Sequence, residues 1–230
     1  MTCDARGVIQ ASSMCPEAAI PLVRNRESAA RQWALLCLPV LTVALVAGAL
    51  QMGGPATAVA LVAAALLLIP ERVFYVWAWN RPQRFAAWCD RQGNAAPVDV
   101  LERACLLFKL LQASVIAGWF LWFGPGLTWP GSGGLVPTLA GGGLILVGQF
   151  LNYSVFRRLG RVGVFYGIRF GHPVPWCTAF PFSILKHPQY VGALLSIWGF
   201  FLVMRFPHDD WFLLPALETL YYTVGMRLEQ

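Results

Sequence analysis

Charge is scarce in this sequence. Only 12% of its 230 residues are Asp, Glu, Lys or Arg, against about 25% in soluble domains. Set beside 57% hydrophobic residues, the deficit excludes an ordinary soluble core and implies a membrane protein. Paired cysteine spacing is missing too. Cys3, Cys15, Cys37, Cys89, Cys105 and Cys177 form no C-x-x-C and no Cys/His set at zinc spacing. Neither a disulfide framework nor a metal centre is therefore expected. Four of the six flank or lie in apolar stretches, where a free thiol acts as a small hydrophobe. The opening residues lack a basic start feeding an apolar core, so no cleaved signal is read there. Asp4, Glu17 and Glu27 weigh against a transit peptide, and residues 1–30 are read as a polar tail. The net charge of +6 is scattered between apolar runs. That placement fits membrane topology and anionic headgroups, and not nucleic acid.

Six apolar segments are present, predicting an all-α, polytopic transmembrane bundle over 31–230. They run approximately from Trp33 to Leu50, Ala56 to Trp77, Ala104 to Phe123, Leu135 to Phe156, Pro188 to Met204 and Trp211 to Met226. Met52-Gly53-Gly54-Pro55 reads as a tight turn between the first two. Pro70, followed by Glu71 and Arg72, is expected to kink or end the second. Gly124 to Gly134 reads as a loop. With a cytoplasmic N-terminus, Arg6, Arg24, Arg26, Arg31, Arg81, Arg84, Arg91, Arg103, Arg157, Arg158, Arg161, Arg169, Lys186 and Arg227 all fall inside. Of the loops outside, only one carries a basic residue, Arg205. The asymmetry orients both termini to the cytoplasm.

Polar residues cluster where the fifth segment meets water. Phe180-Pro181-Phe182-Ser183-Ile184-Leu185-Lys186-His187-Pro188-Gln189-Tyr190 opens directly into the apolar run to Met204. Lys, His and Tyr at the mouth of a membrane helix are costly unless they pair or bind something. Upstream, Leu159-Gly160-Arg161-Val162-Gly163-Val164-Phe165-Tyr166-Gly167-Ile168-Arg169-Phe170-Gly171 carries four glycines that permit close backbone approach to a ligand. No strand precedes them, so a Rossmann reading is not justified. Arg157, Arg158 and Arg161 read as topology determinants or as cations for a headgroup phosphate. Glu218 falls on about the same helical face as Glu229, either as a functional acid or as the partner of a buried cation such as Lys109.

Together these two segments, with Glu71-Arg72-Val73-Phe74-Tyr75 and Trp79, resemble the phospholipid N-methyltransferases. These are related more broadly to the isoprenylcysteine carboxyl methyltransferases. The matching residues are Leu159, Gly160, Gly163, Phe165, Gly167, Phe170, Gly171, Phe180, Pro181, Phe182, Ile184, Pro188, Tyr190 and Gly192, in the motif-bearing part 140–230. The resemblance implies an S-adenosylmethionine-dependent enzyme with a cofactor pocket at the cytoplasmic face, methylating the amine of phosphatidylethanolamine or its N-methylated forms. It implies a phospholipid substrate, and the endoplasmic reticulum if the cell is eukaryotic or the inner membrane if bacterial. It implies cofactor contacts at Gly141, Gly143 or Gly148, at Tyr166, Gly167, Arg169, Lys186, His187, Pro188 and Tyr190, and at Glu229. The family's paired glutamates stand here as Glu229-Gln230, and His187 before Pro188 leans toward the carboxyl methyltransferases. His187, Tyr190 and Glu229 are the candidate catalytic groups, since a protonated amine must lose its proton before it attacks. The alternatives are a prenylcysteine carboxyl methyltransferase and a non-catalytic membrane protein or transporter.

Overall fold

The computed structural model describes residues 20–93, 95–122, 133–174 and 177–229, with side chains from 37 onward. Cys3, Cys15, the 1–19 part of the polar tail, most of the Gly124–Gly134 loop and Gln230 lie outside the described residues. What is described is helical, without a strand. The elements are α1 (Ile20–Asn80), α2 (Pro82–Arg91), α3 (Pro97–Trp122), α4 (Leu135–Val164), a 3-10 turn (Gly167–Phe170), α5 (Pro188–Met204) and α6 (Leu213–Leu228).

The first two apolar segments both fall in α1, which doubles back on itself. Gly54 sits at φ 72°, ψ −169°, a conformation open to glycine because it has no Cβ. Leu38 and Val76 line one apolar cavity. At about 1.5 Å per residue a straight helix would hold them roughly 57 Å apart. The expected turn is therefore at Gly54. Pro70 does not end the segment: it lies inside the helix, which continues to Asn80. A proline removes one backbone donor, and the packing of this arm against α6 outweighs that loss. Leu61, Ala64, Ala65 and Leu68 bury against Leu214, Leu217 and Tyr221, and the Tyr221 hydroxyl donates to the Ala65 carbonyl at 3.1 Å.

Three of these helices are long and apolar enough to cross a membrane: Cys37–Asn80, Pro97–Trp122 and the Leu135–Phe170 stretch. Their large apolar residues are mostly not buried. Val40, Val43, Leu106, Leu107, Leu110, Leu139 and Leu146 are exposed, a belt that suits lipid rather than water. α5 is apolar but shorter; at 17 residues it spans about 25 Å.

α4 and α5 meet along a seam of glycines. A Cβ on Gly141 would stand 2.6 Å from the Gly199 carbonyl oxygen, and one on Gly148 would stand 2.5 Å from that of Gly192. The reverse contacts are as close: 2.4 Å for Gly199 and 2.7 Å for Gly192. Two glycines on each helix, two turns apart, thus let the backbones touch, as small residues do between membrane helices. At one end of the bundle the seam fixes the start of α5 beside the end of α4. The end of α1 reaches the same place, where the Asn80 amide donates to the Leu228 carbonyl at 3.0 Å. The start of α3 joins them through Arg161, which ion-pairs with Asp99 and Glu102. At the opposite end Arg205 pairs with Asp210 at 2.9 Å, and Trp119 also donates to Asp210, at 2.9 Å. The single basic residue expected outside is therefore neutralised. Cys37, Cys89, Cys105 and Cys177 are free thiols, as expected.

Candidate active site

The converging helix ends enclose a cavity of about 1000 Å³. Ligand sites typically run to about 300–1,000 Å³, so this one has room for two reactants side by side. An aromatic cluster supports its floor. Phe74, Trp77, Phe85 and Trp88 meet edge to face, with ring centroids 5.1 to 6.3 Å apart for Phe74–Phe85, Trp77–Phe85, Trp77–Trp88 and Phe74–Trp88. Phe170 of the 3-10 turn adds to it. That anchorage holds the turn, and the residue before it, Tyr166, over the cavity.

Tyr166 adopts φ 59°, the left-handed region, where a bulky residue is strained by about 1–3 kcal/mol and such strain concentrates at functional sites. Its hydroxyl oxygen lies 3.5 Å from that of Tyr190. Tyr190 in turn donates a short hydrogen bond to the Glu229 carboxylate. Glu229 caps the end of α6, its own N–H bonded to the Gly225 carbonyl at 3.0 Å. Burial raises the Glu229 carboxyl above its usual range, and the hydrogen bonds from Tyr190 and Tyr166 oppose that rise. His187 is the residue before α5, its ring centroid 6.1 Å from that of Tyr190. Desolvation first, then the charges of Lys186 and Arg227, hold His187 below its usual range. Its imidazole is therefore neutral at pH 7 and able to accept a proton.

Of the residues expected from sequence, Tyr166, Lys186, His187, Pro188, Tyr190 and Glu229 all line this one cavity. The other expected cofactor contacts do not line it. Gly141 and Gly148 are occupied in the α4–α5 seam, and Gly143 faces open space with nothing within 4 Å. Gly167 packs against Val162 in the turn beneath. Arg169 stacks over the Trp79 ring at 3.9 Å, reaching the cavity only through that indole. The glycine on the wall is Gly163. It follows Gly160, which at φ 63° lets the end of α4 change direction. Arg161 is engaged by Asp99 and Glu102, Arg157 by Tyr153 and Arg158 by the Phe180 carbonyl.

A second wall of the cavity is built from charged residues of α1 and α3. Glu71, only 4% exposed, ion-pairs with Lys109 at 3.2 Å. Lys109 also donates to the Tyr222 hydroxyl and to Gln112 Oε1, each at 3.0 Å. Gln112 passes the contact to Glu218 at 2.6 Å. Glu218 therefore meets Lys109 through Gln112 and stays behind the wall. Three buried polar atoms on the cavity have no hydrogen-bond partner: Arg72 Nη2, Trp79 Nε1 and Asn152 Oδ1. Buried polar atoms are ordinarily paired, which makes these three residues the candidates for ligand contacts; Asn152 Oδ1 itself packs against Gly192.

Lipid-facing helices surround a largely apolar, aromatic-walled chamber with a few converging polar groups, the form of a ligand site in a membrane protein. Known proteins agree. Residues 136–230 match the family model described as phospholipid methyltransferase. A phosphatidyl-N-methylethanolamine N-methyltransferase of Arabidopsis thaliana is 36% identical over 137 residues, which cover 60% of this chain and 75% of that protein. No solved structure matches. The chain belongs to the phospholipid methyltransferase family, as a helical membrane enzyme.

Proposed function

We propose that this chain transfers a methyl group from S-adenosylmethionine to the amine of N-methylated or unmethylated phosphatidylethanolamine. The observation that carries the reading is the single chamber shared by Tyr166, His187, Tyr190 and Glu229. S-adenosylmethionine supplies a methyl on a sulfonium, open to in-line attack by a neutral amine. The residues present fit it. Tyr166 and Tyr190 offer ring faces to a sulfonium cation. Lys186 offers a cation to a carboxylate, and the unpartnered Trp79 and Asn152 atoms offer one donor and one acceptor. Neutral His187 takes the proton that the lipid ammonium must lose. Glu229, fixed by Tyr190, holds the substrate ammonium or a donor hydroxyl. The cavity-forming helix ends are those carrying the basic loops, which supports a chamber and both termini on the cytosolic side. The membrane is the endoplasmic reticulum in a eukaryote or the inner membrane in a bacterium.

The direct test is labelled methyl incorporation in purified membranes offered phosphatidylethanolamine, its monomethyl form or farnesyl-cysteine. Label is expected in the lipid amines. Label in farnesyl-cysteine alone overturns the reading.

A pH profile tests the role of His187. Its lowered pKa means that the base is lost only as pH falls below the usual histidine range, so kcat/KM declines on that acid limb. Lys186→Gln removes one of the two cations that depress it. The limb is then expected to move to higher pH, and His187→Gln is expected to erase it. An unmoved limb in both variants assigns the titration to another group.

A further inference from the structure

A second cavity of about 390 Å³ adjoins the first. Its walls are mainly apolar, from Leu38, Ile69, Val73, Val76, Val224 and Leu228. The amide of Asn80, at its lip, is engaged by the Val76 and Leu228 carbonyls. Among the described residues, Arg72 alone lines both this groove and the large chamber. Its guanidinium lies 3.7 Å over the Tyr222 ring, which fixes its plane. Glu71 ion-pairs with Arg72 Nη2 through Oε2 and with Lys109 through Oε1. The Glu71 carboxylate sits closer to Lys109, at 3.2 Å, than to Arg72, at 3.5 Å, and Arg72 Nη2 stays buried without a hydrogen bond.

An oily groove, a fixed cation whose Nη2 makes no hydrogen bond and a chamber carrying the polar groups of Tyr190 and Glu229 thus follow one another. A phospholipid presents the same order: acyl chain, phosphate, amine. We propose that Arg72 anchors the phosphate of the lipid substrate, with one acyl chain in the groove and the amine in the chamber toward Tyr190 and Glu229. This rests on the lipid-amine reading above. Guanidinium suits phosphate because it offers parallel donors in a plane. The anchor sets how far the amine reaches into the chamber, and it rejects lipids that carry no phosphate.

The donor's carboxylate is also an anion, so the experiment separates the two. Full-length protein in nanodiscs is assayed with dioleoyl and dihexanoyl phosphatidyl-N-methylethanolamine and with a dioleoyl N-methylamine lacking phosphate. S-adenosylhomocysteine affinity is measured by calorimetry. Arg72→Gln is expected to raise the lipid KM about ten- to hundredfold, the range for a hydrogen bond to a charged group. It should also collapse the preference for phosphate-bearing lipid, with S-adenosylhomocysteine affinity held within about twofold. Arg72→Lys, which keeps the charge and loses the fork, is expected to fall between. A Cβ on Gly225 would meet Arg72 Cδ at an ordinary 3.7 Å, so Gly225→Leu fills the groove without a backbone clash. It is expected to raise KM for the dioleoyl lipid by a clearly larger factor than for the dihexanoyl lipid.

Loss of S-adenosylhomocysteine binding in Arg72→Gln overturns the proposal by assigning Arg72 to the donor. A preference for phosphate that survives the substitution overturns it as well. If Arg72→Gln does not fold, Gly225→Leu decides: the same effect on both chain lengths, or none, overturns it. Wild-type protein that methylates phospholipid without preference for phosphate sinks the anchor alone. Wild-type protein that binds S-adenosylhomocysteine and methylates no phospholipid sinks the underlying reading and the anchor with it.

Discussion

Glu229→Ala is expected to lower kcat/KM by about two to three orders of magnitude, the scale of losing a positioned acid–base or charged group, while the helices stay folded. Glu229 lies past the last turn of α6, so removing its side chain takes away the hydrogen bond from Tyr190 of α5 and none of the apolar packing inside the bundle. Its work is inside the chamber, where it accepts from Tyr190. Removing it leaves the Tyr190 hydroxyl without its acceptor and leaves Glu71 as the remaining acid among the described residues of the chamber wall. Tyr190→Phe keeps the ring that packs on Tyr222, with centroids 5.6 Å apart, and deletes only the hydroxyl. Its loss is expected to be smaller, about tenfold, and Glu229→Gln is expected to lie between the two. S-adenosylhomocysteine calorimetry on the same proteins reports whether the lost contact is to the donor. Activity and donor binding both unchanged in Glu229→Ala and Tyr190→Phe would remove these residues from the site.

Some of this geometry is legible in sequence because local rules act alone. Pro188 at the first helical position and an unbroken apolar run fix α5 from Pro188 to Met204 without tertiary help. Gly54 marks a reversal because few residues tolerate its backbone angles. Lys186 to Tyr190 announce themselves as polar residues at the mouth of a membrane helix. Glu71 and Lys109 do not. Neither points to the other in the sequence, where Glu71 stands beside Arg72 and Lys109 alone in an apolar segment, and only the packing of α1 against α3 and α6 makes them neighbours. Pro70 misleads for a related reason, since a proline's local penalty is weighed against packing that the sequence does not display. The glycines of α4 are the most instructive. A glycine on a membrane helix signals close approach, but not whether a ligand or another helix approaches. Gly141 and Gly148 meet α5, Gly163 meets the chamber, and Gly143 meets neither.

That division yields the second large effect. Gly148→Ala places a Cβ 2.5 Å from the Gly192 carbonyl oxygen and equally close to the Ser196 hydroxyl. Neither is a flexible chain end, so the helices must part. Alanine is the better helix former by about 1 kcal/mol, which makes the sign of the result informative. At Gly143, where nothing lies within 4 Å, Ala is expected to be neutral or slightly stabilising. At Gly148 the overpacking penalty, typically about 1–3 kcal/mol, is expected to win. Gly148→Leu is expected to reach the top of that range or exceed it. At about 3 kcal/mol, a chain of this length loses roughly 6–12 °C in melting midpoint. Lipid offers no hydrophobic force to press the helices back together, since acyl chains solvate apolar side chains as well as protein does. Activity should fall with stability, because α5 carries Pro188 and Tyr190 at its start and any displacement shifts them against Glu229. Gly143→Leu, facing open space, is the control that keeps both. Equal melting midpoints and equal activities for the Leu variants at 143 and 148 would show that the seam does not hold the chamber in shape.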